Sequence, residues 1–355
     1  MQGLSIAAKA RSFSVFSLFA AASAASVFLA LEALAQSATQ LTRPEAVRPF
    51  ALEAPSINDW LTRAQTASRK VSYVGTFVVS SGGAMSSSRV SHANEGEQQI
   101  ERVETLSGPP RLIFRHNDQV VTFLLDKKIV RSEKRDSTGA FPGVVEPADH
   151  RIADFYKARH DGIERVAGVE ADVTTLIPKD ANRFGYRVWT ERARGLMVKS
   201  QTLDSSGRVL EQAAFSELQL DAPVKLDKLA QMMASVEGYR VEKTALIKTT
   251  PSADGWTLRV PVAGFVPLNF YRRPAGIPNG VQGTEALQWI FSDGMASLSI
   301  FVEPLEPLRH AKEASFSMGA TQTLTRQVAG FWLTLVGEVP MATLKLFADN
   351  LEHRK

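Results

Sequence analysis

A long run of short, strand-like segments separated by turn signals constrains this 355-residue chain more than any other feature. Between residues 73 and 132, stretches rich in β-branched and aromatic residues alternate with turns such as Asn94-Glu95-Gly96 and Gly108-Pro109-Pro110. A second series of the same kind occupies residues 162–220. Because so many strands are accompanied by only two helices, the sequence predicts one strongly curved antiparallel sheet, closed or half-closed around those helices.

Two helices are predicted to pack against this sheet. The first begins at Ser56, which forms a capping box with Asp59 three residues later. Its apolar residues then share one face, at Trp60, Leu61, Ala64 and Ala67. The second is a short helix around residues 149–157, between the two series of strands.

The pattern changes after residue 220. Residues 221–254 contain one helical stretch, Leu226 to Val236, followed by polar residues, and are predicted to connect two domains. A smaller α+β domain, residues 255–355, ends in a helix that begins at Pro340. Within it, the Pro- and Gly-rich stretch from Pro267 to Gly283 is predicted to be a loop. The fold class is therefore α+β, with a half-barrel over residues 56–220 and the smaller domain after it.

The first 35 residues have the pattern of a cleavable export signal. Lys9 and Arg11 precede an apolar stretch from Phe13 to Leu31, and Ala33-Leu34-Ala35 provides a small-x-small cleavage site. The alternative is a retained membrane anchor, because an apolar run of about 20 residues can span a bilayer. Residues 36–55 are predicted to be a mobile leader. The chain has no cysteine, so an exported protein of this sequence is held together without disulfides.

Motifs for catalysis are missing from the sequence. It has no nucleophile elbow, Walker loop, H-E-x-x-H pair or nucleotide-binding glycine fingerprint, and its six histidines include no i, i+4 pair. Ser292-Asp293-Gly294 joins two predicted strands and is interpreted as a hairpin turn, and Glu338 as a strand-end residue. A net charge of +4, spread along the chain, gives no basic patch for nucleic acid. The sequence predicts a protein that is not an enzyme and holds no metal or cofactor.

The concave face of a half-barrel is the remaining place for a ligand, because cavities lined by apolar side chains bind small hydrophobic molecules. The candidate lipid-cavity residues are large aromatic side chains of the predicted strands: Tyr73, Phe77, Phe114, Phe123 and Trp189. The alternative is that these side chains only fill the core beneath the helix.

Several motifs resemble those of the MucB/RseB family. In the first half of the chain they are Tyr73-Val74-Gly75-Thr76-Phe77, Gly108-Pro109-Pro110-Arg111, Arg165-Val166-Ala167-Gly168, Pro178-Lys179-Asp180, Arg183-Phe184-Gly185-Tyr186 with Trp189, and Gly195-Leu196. In the second half they are Ser292-Asp293-Gly294-Met295-Ala296-Ser297-Leu298-Ser299-Ile300-Phe301 and Gly337-Glu338-Val339-Pro340. The resemblance extends over nearly all of the chain after residue 55 and is weakest between residues 221 and 254.

This resemblance implies a large N-terminal half-barrel similar to the lipoprotein carriers LolA and LolB, joined by a linker to a smaller C-terminal domain. It also implies a periplasmic regulator of an envelope stress response. Such a protein binds the periplasmic part of a RseA/MucA-type anti-sigma factor and shields it from the site-1 protease. Lipid or lipopolysaccharide acts as the regulatory ligand and releases the anti-sigma factor from the protein.

Candidate partner-binding residues are aromatic and arginine side chains of the second domain, because these residue types often anchor interfaces. They are Tyr271, Arg272, Arg273 and Trp289. The alternative places the tryptophan in the core and the arginine pair on a solvated loop. Whether the protein forms a homo-oligomer is left open by the sequence.

Two other functions fit parts of the sequence. A lipid or lipoprotein carrier could use the same half-barrel, although a simple shuttle has no need of the second domain. An envelope hydrolase would require a nucleophile, a base and an acid that the sequence does not supply.

Overall fold

The computed structural model describes residues 56–134, 152–244, 246–274, 285–308, 310 and 312–354. The predicted export signal, residues 1–35, and the predicted leader, residues 36–55, lie outside the described residues. The described chain forms two domains, each built on its own large sheet. No helix in these ranges has both the length and the apolar character that crossing a bilayer requires.

The first domain contains a sheet of twelve described strands. In chain order they are β1 (Tyr73–Ser81), β2 (Ala84–Glu95), β3 (Gln98–Thr105), β4 (Arg111–His116), β5 (Gln119–Leu124), β6 (Ile129–Lys134), β7 (Tyr156–Val166), β8 (Val169–Pro178), β9 (Gly185–Glu191), β10 (Met197–Leu203), β11 (Val209–Leu220) and β12 (Arg240–Thr244). Across the sheet the order is β12-β6-β5-β4-β3-β2-β1-β11-β10-β9-β8-β7. Because β12 and β7 are its two ends, the sheet is open, and the prediction of a curved antiparallel half-barrel is confirmed.

Helix α1 (Ile57–Lys70) covers one face of this sheet. The predicted N-cap is present: the Asp59 backbone N–H donates to the Ser56 hydroxyl at 3.2 Å. The Asp59 carboxylate accepts from that hydroxyl at 2.7 Å, rather than from the Ser56 backbone N–H as in a complete capping box. The predicted apolar face is buried, at Trp60, Leu61, Ala64 and Ala67. A second, short helix, α2 (Ile152–Phe155), packs with the start of α1 against Tyr156.

The segment predicted as a connection takes part in the first domain. Its helix α3 (Leu226–Ala234) buries Leu226, Leu229 and Met233 against β-strand residues that include Phe114 and Phe123. Strand β12 then pairs in parallel with β6, and Arg131 Nε lies 2.9 Å from the Glu242 carboxylate across this pair. The sequence suggested a linker because this segment is short and polar, whereas its few apolar residues suffice to hold it on an existing sheet.

The second domain is a seven-stranded sheet with a helix against it. Its elements are β13 (Ile247–Lys248), β14 (Trp256–Leu258), β15 (Val266–Pro274), β16 (Glu285–Ser292), β17 (Ser297–Pro304), β18 (Ala314–Met318), β19 (Thr321–Val328), β20 (Phe331–Gly337), α4 (Met341–Asn350) and β21 (Leu351–His353). The order is β13-β15-β16-β17-β20-β19-β18, and β14 pairs separately with β21. Single 3₁₀ turns occupy Leu125–Lys127 and Ser252–Asp254.

The predicted loop from Pro267 to Gly283 is wrong over its first part. Residues 266–274 form β15, which pairs with β16 through a register shift between Pro267 and Asn269. A proline is tolerated at such a bulge because the ladder is already interrupted there. The stretch 275–283 lies outside the described residues.

Candidate functional site

The predicted lipid-cavity residues lie in the interior of the first domain. Tyr73, Phe77 and Trp189 belong to one buried cluster, which also contains Ala67 of α1. Phe114 and Phe123 belong to a second cluster beneath α3, with their rings edge to face at 5.7 Å between centroids. At most 5% of the surface of any of these five residues is exposed. The strand registers place Phe114 and Phe123 on the face of the sheet opposite to Tyr73. The structure therefore divides the predicted set between two clusters on opposite faces of the sheet, each covered by its own helix.

This interior also holds polar groups. The Tyr73 ring stacks on His92 at 5.3 Å between centroids, and Arg115 pairs with the buried Glu101. Burial, and then the charge of Glu101, raise the pKa of Tyr73 well above its ordinary value. The Tyr73 hydroxyl and Glu101 Oε2 are buried without a hydrogen-bond partner among the described residues. The apolar cluster that contains Tyr73 thus has a group of polar side chains at one end.

The predicted partner-binding residues lie in the second domain, on β15 and β16. Tyr271 and Trp289 are each 6% exposed, and Trp289 is part of the domain core. Arg272 Nε donates to Asp254 at 2.8 Å, and Arg273 Nη1 donates to Gln288 at 2.9 Å. The two arginines therefore lie at the surface of a strand and bind within their own domain.

The two domains meet at a buried ion pair that the sequence reasoning missed. Arg183, in the connection between β8 and β9, has a fully buried side chain, and so does Asp293, which follows β16. Arg183 Nη1 lies 3.0 Å from Asp293 Oδ2. The other two guanidinium nitrogens also donate hydrogen bonds: Nε donates to Asp180 at 2.9 Å, and Nη2 donates to the carbonyl of Ala263 at 2.6 Å. One side chain of the first domain thus binds the second domain at two points.

Asp293 is held in place by hydrogen bonds on both carboxylate oxygens. Its Oδ1 accepts the backbone N–H groups of Met295 at 2.9 Å and Ala296 at 2.7 Å. Its Oδ2 accepts the Tyr156 hydroxyl at 3.1 Å in addition to Arg183. Burial raises the pKa of Asp293, whereas these backbone bonds and the Arg183 charge act in the opposite direction. The Asp293 turn is thereby shaped to receive the arginine.

Aromatic rings surround the guanidinium. Its carbon lies 4.4 Å from the ring centroid of Phe155, 5.2 Å from that of Phe265 and 5.8 Å from that of Tyr156. Gly264 fits against it with φ of +83°, because a Cβ at that position would lie 2.8 Å from both terminal nitrogens of Arg183. Planar stacking and a forked donor set favour arginine over lysine at such a site.

Two further contacts join the domains. The Thr343 hydroxyl, near the start of α4, donates to the carbonyl of Asn182 at 2.8 Å. On the other side, Gly319 lies so close to Ser81 that a Cβ on Gly319 would overlap the serine hydroxyl. The hairpin between β1 and β2 therefore touches the hairpin between β18 and β19.

A cleft of about 750 Å³ opens between these contacts. Both domains line it, with polar side chains and glycines beside apolar side chains. The lining residues include Ser80, Gly82, Gln201, Val209, Leu210 and Gln212 from the first domain, and Ser317, Gly319, Gln322 and Met341 from the second. Phe184, the neighbour of Arg183 in the chain, and Pro340 also line it. The cleft and the ion pair are thus parts of one junction.

Glu338 and Glu211 bring two carboxylates of different domains near each other. Burial by surrounding atoms, and then repulsion from Glu211, raise the pKa of Glu338 to about 7. The Glu338 side chain is nevertheless exposed to solvent, so water weakens both the effect of burial and this repulsion. The junction combines a buried attractive pair with a partly solvated repulsive one.

Two family models match the chain in order. The MucB/RseB N-terminal domain matches residues 56–233, and the MucB/RseB C-terminal domain matches residues 250–352. The chain belongs to the MucB/RseB family. A curated relative, the sigma factor AlgU regulatory protein MucB of Pseudomonas aeruginosa, is 28% identical over 313 residues, which cover 85% of this chain and 92% of the relative. The sigma-E factor regulatory protein RseB of Haemophilus influenzae is 24% identical over 308 residues, covering 85% and 93%.

Solved structures of MucB show the same likeness. A crystal structure of MucB in complex with MucA(peri) aligns with a TM-score of 0.62 at 26% identity, covering 84% of this chain and 98% of that one. A structure of the Pseudomonas aeruginosa MucA/MucB complex aligns with a TM-score of 0.63 at 25% identity, covering 84% and 99%. The similarity to MucB/RseB proteins therefore includes both domains, and these relatives are named as regulatory proteins rather than enzymes.

The motifs that carry the MucB/RseB resemblance converge on the junction. Arg183 and Phe184 come from one motif of the first domain, Asp293 from the turn motif of the second, and Pro340 from the motif before α4. In the sequence, Asp293 could be interpreted only as a hairpin turn. The signal that could have identified it was the occurrence of family motifs in both halves of a chain without a catalytic constellation.

Proposed function

We propose that this protein is a periplasmic negative regulator of a sigma-E-type envelope stress response. It binds the periplasmic domain of a RseA/MucA-type anti-sigma factor and protects that domain from site-1 proteolysis. The observation that carries the proposal is the likeness to MucB crystallised with MucA(peri), which covers nearly the whole of that chain. The predicted export signal, residues 1–35, supports a periplasmic location.

Release by lipid or lipopolysaccharide is part of the proposal, with the interior of the first domain as the acyl-chain site. Its candidate residues remain Tyr73, Phe77, Phe114, Phe123 and Trp189. Helix α1 covers the cluster that contains Tyr73, and α3 covers Phe114 and Phe123 on the opposite face of the sheet. Entry of an acyl chain therefore requires a helix to move. Helix α3 is the weaker cover, because it has no side-chain bond at its N-terminus and is only nine residues long, whereas Ser56 caps α1.

The coupling follows from a shift between two conformations. A lipid that binds better to a form with α3 displaced increases the population of that form. If the anti-sigma segment binds better to the form with α3 in place, each ligand weakens the other by the same factor. For partner contacts, Tyr271, Arg272, Arg273 and Trp289 remain the proposed set, with the two arginines the more accessible members.

The test is a calorimetric titration of the chain from residue 36 with the periplasmic segment of the anti-sigma factor from the same organism. We expect a dissociation constant in the micromolar range or tighter, which becomes weaker when lipopolysaccharide is added. A scrambled segment is the control for non-specific binding. Digestion of the segment by the site-1 protease, with and without the protein, measures protection directly.

The titration separates this proposal from a carrier function. A protein that binds lipopolysaccharide but never the segment would be a lipid carrier, and the regulator proposal would be wrong. Binding of the segment that lipid leaves unchanged would retain the partner and remove the lipid switch.

A further inference from the structure

The walls of the inter-domain cleft are rich in neutral hydrogen-bonding groups. Gln201 and Gln212 face each other, with Nε2 donating to Oε1 at 2.6 Å, and Gln201 Oε1 is buried without a hydrogen-bond partner among the described residues. On the opposite wall the Ser317 hydroxyl donates to Gln322 at 2.5 Å. Primary amides offer one acceptor and two donors, the same chemistry as the peptide group they would meet.

Charge in the cleft is balanced. Arg208 lies 2.9 Å from Asp204 in the same turn, so that the guanidinium and the carboxylate largely cancel. Hydrogen bonds from Ser206, and then those from Arg208, lower the pKa of Asp204 to about 2, which keeps it ionised at neutral pH. A polyanion would gain little from such a site, and a purely apolar ligand would leave the amides unpaired.

One wall belongs to a strand with a free edge. β18 ends the second sheet, carries no charged residue, and exposes 52% of Phe316. The other ends of the two large sheets are different: β7 and β12 carry several charged side chains, and β13 has only two residues. Charges and short length protect sheet edges against strand addition, and β18 lacks the first of these protections.

We propose that the cleft binds an extended, uncharged segment of the partner polypeptide, which lies between the domains and adds to the edge of β18. This inference rests on the proposed function and names the part of the protein that holds the partner. Main-chain hydrogen bonds to β18 and amide contacts to Gln201 and Gln212 provide the binding, a mode in which side-chain pockets add the specificity. Gly82, Gly83 and Gly319 bring backbone rather than side chain to the cleft wall and leave room for a second main chain.

The test compares two variants of one strand. Ser317→Trp places a bulky side chain in the cleft, whereas Ser315→Trp makes the same change two residues away on the same face, at an exposed position outside the cleft. Affinity for the anti-sigma periplasmic segment is measured by calorimetry. We expect Ser317→Trp to weaken binding at least tenfold and Ser315→Trp less than twofold. Gln212→Ala, which removes an amide without adding bulk, is expected to weaken binding about threefold.

Hydrogen exchange supplies a second readout. In the complex, backbone amides of β18 should exchange at least tenfold more slowly than in the free protein, while those at the edge of β7 remain unchanged. Equal affinity in all three variants and the parent, equal weakening by both tryptophans, or unprotected β18 amides in the complex would each overturn the inference and leave the proposed function intact. If the parent protein does not bind the segment, both the inference and the proposed function are wrong.

Discussion

The interior of the first domain and the junction between the domains are both buried, but they are held together by different forces. The interior is stabilised by aromatic and aliphatic packing such as that of Phe114 against Phe123 and α3, which has no fixed direction and is spread over many residues. The junction depends on a few directional contacts centred on Arg183 and Asp293. A change in the interior should therefore destabilise one domain, whereas a change at the junction should separate two domains that remain folded.

The largest effect is expected from Phe114→Ala. Only 1% of Phe114 is exposed, and its removal leaves a cavity beneath α3 that the sheet cannot close. We expect a loss of about 4 kcal/mol in the free energy of unfolding of the first domain. Guanidinium denaturation followed by tryptophan fluorescence measures it. An unchanged midpoint would mean that α3 already leaves this interior loosely packed.

Arg183→Met should break the junction instead. The change leaves Asp293 and Asp180 without the cation that pairs with them. We expect the free energy of unfolding to fall by about 3 kcal/mol. This is the low end of the range for a broken buried ion pair, because water can reach the two carboxylates once the domains separate. Calorimetry should then resolve two separate transitions.

Arg326→Met is the matched control for that change, because Arg326 pairs with Asp349 at the surface of the second domain alone. It should alter stability by less than about 1 kcal/mol and leave the unfolding profile as it is in the parent. A single transition in Arg183→Met would mean that the other contacts suffice to couple the domains.

Tyr156→Phe is a milder change at the same place. It removes one of the hydrogen bonds on Asp293 and keeps the ring that faces Arg183. We expect a loss of about 1 kcal/mol, measured by denaturation. Tyr239→Phe, whose ring packs on Phe123 of the first domain, removes a hydroxyl elsewhere and should change stability by less than about 0.5 kcal/mol. Equal losses of stability in the two variants would show that the hydrogen bond from Tyr156 to Asp293 contributes no measurable stability.

The smallest effect is expected from Glu338→Gln, and it depends on pH. The folded-state pKa of about 7 lies above the ordinary value of 4.5, so the folded protein binds more protons than the unfolded chain between these values. Stability contributed by this group is therefore present below about pH 4.5 and is lost as pH rises towards 7. Denaturation curves taken at pH 5 and pH 8 measure this loss of stability. The difference in stability between the two pH values should be smaller in Glu338→Gln than in the parent, and Glu211→Gln should reduce the difference in part. Identical slopes in all three proteins would contradict the like-charge contact.

The half-barrel could be predicted because its strands repeat a local pattern. Alternating burial along β1, at Tyr73, Gly75 and Phe77, is encoded in neighbouring residues, and so is the N-cap that Ser56 provides for α1. Family motifs gave the two domains and their order. Such signals are short in range, which is why they can be recognised without the fold.

The junction could not be predicted for the opposite reason. Arg183 and Asp293 are separated by 110 positions, and nothing in either local sequence indicates the other. Strand β18 was missed because Ala314–Met318 contains no β-branched residue, and β12 because its place depends on a parallel neighbour. The free edge that the partner segment is proposed to use thus belongs to an element with almost no sequence signature.

The pairing of β12 with β6 also limits how the molecule can move. β12 ends at residue 244 and β13 begins at residue 247, so the tether between the two sheets can reach only about 10 Å. If the ion pair between Arg183 and Asp293 is broken, the second domain can rotate about this short tether but stays within its reach of the first domain. A pull beyond that reach would load the two residue pairs between β13 and β15 and the five between β12 and β6, so the shorter pairing, that of β13, would break first.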